Sequence, residues 1–166
     1  MYKCLLILTA SFLLTACSQT YYVVRHAEKE TATGSMNSTD VPLTDLGRRR
    51  AEAFKETLSN KKIKHIYSTN TIRTKSTAKP TAEYFQLSIQ EYGPRPDSVF
   101  IQTLKKQKGN TLIVGHSNTV DDIVNLLMGT KTIVKDLEDS EYDHLFIVKR
   151  KGKKVRFEDS KIVVSY

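Results

Sequence analysis

Cysteine is scarce in this chain, with only Cys4 and Cys17 among 166 residues. The four histidines show neither the His-Glu-x-x-His spacing nor cysteine partners, which argues against a zinc site. Long apolar runs are missing too: the one from Cys4 through Leu14 is too short to cross a bilayer. There is no low-complexity tract, internal repeat or linker, so the length implies one domain with a single core. Acidic residues are in the minority, 18 against 26 lysines and arginines, giving a formal charge of +8. Such an excess favours anionic partners. It is partly clustered, at Arg48-Arg49-Arg50 and at Lys149-Arg150-Lys151 with Lys153-Lys154, although solvated faces are the plain reading of both clusters.

The first twenty residues differ from the rest. Lys3 precedes the apolar run, and Thr15-Ala16-Cys17 closes it with small residues, the layout of an export signal. Leu14-Thr15-Ala16-Cys17 resembles the bacterial lipoprotein signal. That resemblance implies that residues 1–16 are removed and that Cys17 is acylated, becoming the first residue of a 17–166 domain. Cys4 would leave with the signal, so the mature domain would hold no free thiol and no disulfide. The expected location is the bacterial cell envelope, lipid-anchored, with the periplasmic face favoured. Export argues against a nucleic-acid partner. Ser18 and Gln19 lack an aspartate that would suggest inner-membrane retention.

Tyr21 to Val24 reads as a buried strand that stops at Arg25-His26. A polar segment from Glu30 to Thr44 follows, long enough to be a binding loop. Thr44-Asp45 then looks like a helix start, with Gly47, Ala51, Phe54 and Leu58 on one face. Ile63 to Ser68 reads as a second strand, completing a βαβ unit. Thr71 to Phe85 is helical in pattern, with Pro80 expected to kink it or to sit near a start. Leu87 to Glu91 is a third short strand, Val99 to Lys108 a modest helix, and Thr111 to Val114 a fourth strand arriving at Gly115-His116. Val120, Ile123, Val124, Leu127 and Met128 form the clearest helical stripe, stopped by Gly129. Leu145 to Val148, Val155 to Phe157 and Ile162 to Val164 read as antiparallel edge strands around a turn at Gly152.

In a parallel sheet the strand carboxyl ends share one edge, where ligands of open α/β folds bind. That edge would collect Arg25 and His26, then Arg73 beyond Tyr67-Ser68-Thr69, then His116 in Gly115-His116-Ser117-Asn118-Thr119. A neutral imidazole can attack phosphorus, while guanidiniums and a second imidazole stabilise charge on the transferring oxygens. Cationic neighbours would hold His26 unprotonated at neutral pH. No metal and no other cofactor is required. A serine hydrolase built on Ser117 fails for want of the second glycine of a nucleophile elbow.

Four segments carry a family resemblance: Val24-Arg25-His26-Ala27-Glu28; Leu43-Thr44-Asp45-Leu46-Gly47; Ile66-Tyr67-Ser68-Thr69 with Arg73-Thr74 and Thr77-Ala78; and Gly115-His116-Ser117. In this order they resemble the histidine phosphatase superfamily, of phosphoglycerate-mutase-like fold. The resemblance implies a single three-layer α/β/α domain with a mainly parallel sheet. It implies hydrolysis of a phosphomonoester through a phosphohistidine at His26, with Arg25, Arg73 and His116 as the phosphate pocket; Asn118 and Lys29 lie close enough in sequence to the motif residues to touch a ligand, and each could equally cap a turn. Ala27 stands where the family often has glycine. Glu91 lies where many members carry their proton donor, and Asp121 and Asp122 are rivals. The expected substrate is a phosphorylated small molecule or a phosphoprotein, in an open site, and a mutase is disfavoured for a small exported domain. A membrane-tethered phosphate-binding protein without turnover is the alternative.

Overall fold

A computed structural model describes residues 18–31 and 40–164 of the chain. The expected export segment, Cys17 and the middle of the polar loop lie outside the described residues. The elements run β1 (Ser18–Arg25), α1 (Asp45–Leu58), β2 (Ile63–Ser68), α2 (Ile72–Phe85), β3 (Ile89–Glu91), α3 (Ser98–Lys106), β4 (Asn110–Gly115), α4 (Val120–Met128), β5 (His144–Lys151) and β6 (Lys154–Lys161). The strands form one six-stranded sheet in the order β3-β2-β4-β1-β5-β6. The first four in that order are parallel, and β5 and β6 are antiparallel to their neighbours. This is the expected mainly parallel sheet with an antiparallel edge.

Alternation along β1 builds two cores at once, because successive side chains leave opposite faces of a strand. Tyr21 and Val23 join Ile101, Leu104, Ile123 and Leu127 of α3 and α4 on one face. Tyr22 and Val24 join Phe54, Leu58, Ala78 and Ala82 of α1 and α2 on the other. The result is three layers, with β1 and β4 at the centre and fully covered.

The boundaries mostly follow the capping chemistry. The Thr44 side chain accepts from Gly47 N at 3.0 Å and starts α1. Thr71 and Asp97 cap α2 and α3 in the same way. Gly129 ends α4 with φ of 76°, in the left-handed region that glycine enters without penalty. Pro80 sits inside α2 and not near its start. The C-terminal reading needs one correction. Two strands stand there, since Val155 to Phe157 is the middle of β6 and Ile162 to Val164 lies beyond the last strand. The ladder ends at the His144–Lys161 pair, where β5 itself begins, and one further main-chain bond, Ile162 N to Asp143 O at 2.7 Å, closes it. Ile162 buries its side chain in the α1/α2 core.

Candidate active site

Parallel β1, β4 and β2 lie side by side and end on one edge, which brings three distant segments together. Arg25 is paired with Gly115 across β1 and β4, and His26 N donates to Gly115 O at 2.8 Å. The His26 and His116 rings are consequently only 5.5 Å apart, centroid to centroid. Gly115 must be small here. A Cβ would meet the Tyr92 hydroxyl and Thr119 Oγ1 at about van der Waals overlap.

The loop after His26 is fastened by the motif that opens α1. Glu28 O accepts from Thr44 N at 3.0 Å, and a Cβ on Gly47 would collide with that carbonyl. The Glu28 carboxylate takes a fork from Arg50, with Nε at 2.9 Å from both oxygens and Nη2 at 2.6 Å from one. Ala27 N donates to Thr77 Oγ1 at 2.9 Å, and its methyl packs in a small cluster with Leu43 and Ala51. The alanine therefore fits without disturbing the histidine beside it.

His26 is 4% exposed, and its Nδ1 lies 2.9 Å from Ala27 O. A carbonyl can only accept, so Nδ1 carries the proton and the lone pair is on Nε2. Burial pushes the His26 pKa down to about 3, with Arg25, Arg73 and His116 adding to the shift. The cations anticipated from sequence contribute, but desolvation is the larger cause. His116 is lowered to about 4, again first by burial and then by Arg73 and Arg25. Both rings are neutral at neutral pH.

His116 is gripped from both sides. Its Nε2 lies 2.9 Å from Thr69 Oγ1, and its Nδ1 lies 3.4 Å from Arg73 Nη2. A guanidinium can only donate, which makes Nδ1 the acceptor and places the ring proton on Nε2, donated to Thr69. The Thr69 hydroxyl passes on to Thr74 Oγ1 at 3.1 Å, and Thr74 to Thr69 O at 2.9 Å. Arg73 also pairs with Asp40, Nη1 to Oδ1 at 3.2 Å.

Arg25 is 3% exposed and held by carbonyls of the loop before β5, donating to Glu138 O at 2.7 Å and Glu141 O at 3.2 Å. Its guanidinium carbon stands 4.1 Å from the centre of the Tyr142 ring. The Arg25 Nε–H is buried with no acceptor among the described residues. An oxyanion would supply one.

These groups wall a solvent-open cavity of about 890 Å³, lined also by Lys29, Arg95, Asp97, Ser117, Asn118 and Asp139. Arg25, His26, Arg73, His116 and Asn118 are thus brought together. Glu91 is not. It ends β3, but its carboxylate pairs with Lys75 at 2.5 Å and does not line the cavity. Asp121 is buried in the first turn of α4 with its pKa raised by burial, and neither it nor Asp122 lines the cavity. Among the described residues, no three His, Cys, Asp or Glu side chains are grouped to hold a metal ion. The sequence reading missed Tyr142, Asp40 and the carbonyls holding Arg25. Nothing in the sequence between Gly129 and His144 marks that loop as part of the site.

Residues 21–94 match the family model for the histidine phosphatase superfamily, branch 1. No curated protein matches the chain. Among solved structures, the chain is similar to a protein from Agrobacterium tumefaciens described as a phosphohistidine phosphatase, SixA. The TM-score is 0.65 at 16% identity, over 85% of this chain and 97% of that one. It is also similar to phosphoglycerate mutase from Bacillus anthracis, with a TM-score of 0.63 at 14% identity, over 88% and 94%. For the mycobacterial glucosyl-3-phosphoglycerate phosphatase the values are 0.60 and 13%, over 89% and 100%. The chain therefore has the phosphoglycerate-mutase-like α/β fold, and its segment from β1 to the end of β3 carries the sequence signature of the histidine phosphatase superfamily.

Proposed function

We propose that this chain is a phosphatase that hydrolyses phosphomonoesters through a phosphohistidine at His26. One observation carries the reading: a buried neutral imidazole, its Nδ1 proton tied to Ala27 O and its Nε2 lone pair left for attack, stands among Arg25, Arg73 and His116. His26 Nε2 attacks phosphorus and a P–N bond forms as the bond to the leaving group breaks. Arg73 and the Arg25 Nε–H take the charge on the equatorial oxygens, and water then cleaves the P–N bond to release phosphate.

The leaving group's proton limits the substrate class. Of the carboxylates in the cavity wall, Asp97 accepts from Phe100 N at 2.7 Å to cap α3, and Asp139 lies 3.6 Å from Arg25. Neither is placed as a dedicated acid. Leaving groups that depart unaided are therefore favoured, such as a phenolate or the imidazole of a phosphorylated histidine on another protein. The open cavity accommodates such bulk. SixA, described as a phosphohistidine phosphatase, provides a precedent of similar fold. The lipid anchor at Cys17 and an envelope location belong to the same proposal.

The test is turnover of an aryl phosphate, then of a phosphohistidine protein, by wild type and His26→Ala with a chelator present. Turnover that persists in chelator and disappears in the variant supports the mechanism. The missing acid also favours a second reading, a phosphate-binding protein without turnover. Protection of the wild type against heat by inorganic phosphate, with no hydrolysis of either substrate, would select it.

A further inference from the structure

The edge of the sheet opposite the cavity gathers cations of another kind. β1 begins there at Ser18, paired with Lys151 at the end of antiparallel β5. The β5–β6 hairpin exposes Lys149, Lys151, Lys153, Lys154 and Arg156 at this edge. Parallel β2 and β4 also begin there, and the segments leading into them carry Lys61 and Lys62, and Lys106 and Lys108. A shallow depression lined by Lys105, Lys106, Lys108 and Arg150 joins the two groups. Among the described residues, Glu158 is the carboxylate ion-paired to any of these cations, through Lys149 at 2.8 Å. Asp40, Asp97, Glu138, Asp139 and Glu141 lie at the cavity end.

Local stability does not explain the whole patch. Lys105 and Lys106 occupy the last turn of α3 and complement its dipole. The hairpin cations have no helix end beside them. From β2 across to β6 the patch is five strands wide, roughly 20 Å at the usual strand spacing. Its partner must be flat, extended and anionic. The chain supplies the remaining argument, because Cys17, the residue that carries the lipid in the proposed function, directly precedes Ser18, where β1 begins on this same edge. A lipid attached next to Ser18 and a basic surface on the same edge are two membrane signals, and two are needed where one gives marginal binding.

We propose that this edge docks on the surface of an anionic phospholipid bilayer, with the cavity directed away from it. The test uses the full chain and its Lys151→Gln/Lys153→Gln/Lys154→Gln/Arg156→Gln variant. Both are sedimented with vesicles of phosphatidylcholine alone, with vesicles that also contain phosphatidylglycerol, and against a short DNA duplex. The wild type should prefer the anionic vesicles, the preference falling as salt is raised. The variant should lose that preference by about fivefold per charge removed at low salt, with neutral-vesicle binding and melting temperature unchanged. Equal preference by the two proteins would overturn the proposal. So would a loss confined to DNA, which would make the surface a polyanion site.

Discussion

At the edge where β1 and β4 end, Arg25 is 3% exposed and three main-chain carbonyls fix its guanidinium. At the edge where they begin, Lys151, Lys153 and Lys154 stand in solvent with no ion pair among the described residues. The same formal charge acts differently in the two settings. Buried cations interact strongly with a nearby phosphoryl group and help to keep imidazoles neutral. Exposed ones are screened over about 8 Å at physiological salt and act only in number, on an extended partner.

The comparison can be broken most directly at His26. His26→Ala should reduce turnover of an aryl phosphate by at least about a thousandfold, as for loss of a covalent nucleophile. Neutralising four hairpin cations should leave turnover of the same soluble ester unchanged. A second contrast pits one ion pair against another. Arg50 and Glu28 are 12% and 14% exposed at their side chains, whereas Lys149 and Glu158 are 53% and 54% exposed. Removing one partner of a buried pair strands the other charge. Arg50→Met should therefore cost about 3 kcal/mol, seen as a melting temperature lower by roughly 10 °C. Glu158→Gln should move it hardly at all. Equal losses would show that burial does not separate the two edges.

How much of this could be read in the sequence differs along the chain for a physical reason. Arg25, His26, Arg73 and His116 were legible because each follows a short apolar run or lies in the first turn of the next helix, and parallel strands must end on one edge. The anchoring of the His26 loop was half legible. Leu43-Thr44-Asp45-Leu46-Gly47 is visible as a motif, but only the fold shows Gly47 packed on the Glu28 carbonyl. Glu91 was misplaced by strand order, which local sequence does not encode. β3 is the outermost strand, three positions from β1, or roughly 14 Å. Lys75, on the outward side of α2, reaches it instead. The loop that holds Arg25 was invisible because it contributes main-chain carbonyls, and a residue of any type carries one.

The neutral histidines make the cavity edge sensitive to acid. The folded-state pKa of His26, about 3, lies below the ordinary value of 6.5 that it regains on unfolding. Between these values the unfolded state binds a proton that the folded state refuses, so stability falls as pH drops below about 6.5. For His26 the loss at pH 5 is about 2 kcal/mol relative to pH 7, and His116 contributes in the same direction. Thermal melts at pH 7 and 5 should show a fall about half as large in His26→Ala, the remainder belonging to His116. A fall of equal size in both proteins would remove the histidine from the account.

The smallest effect expected tests the hydroxyl behind His116. Thr69 can accept the Nε2 proton, as it does in the observed arrangement, or donate to Nε2 after the ring proton has moved to Nδ1. The second arrangement would let His116 donate towards an oxyanion once Arg73 has turned from its nitrogen to the phosphoryl group. Thr69→Val keeps the shape but supports neither tautomer, so kcat should fall about tenfold, or 1.4 kcal/mol. Thr69→Ser should recover most of that loss, which a packing role for the methyl group would not allow. At the other edge, His65 Nε2 meets Lys108 O at 3.1 Å, away from the cavity, and His65→Ala should leave kcat unchanged. If Thr69→Ser were as slow as Thr69→Val, the hydroxyl chain would be structural, and His116 would owe its orientation to Arg73.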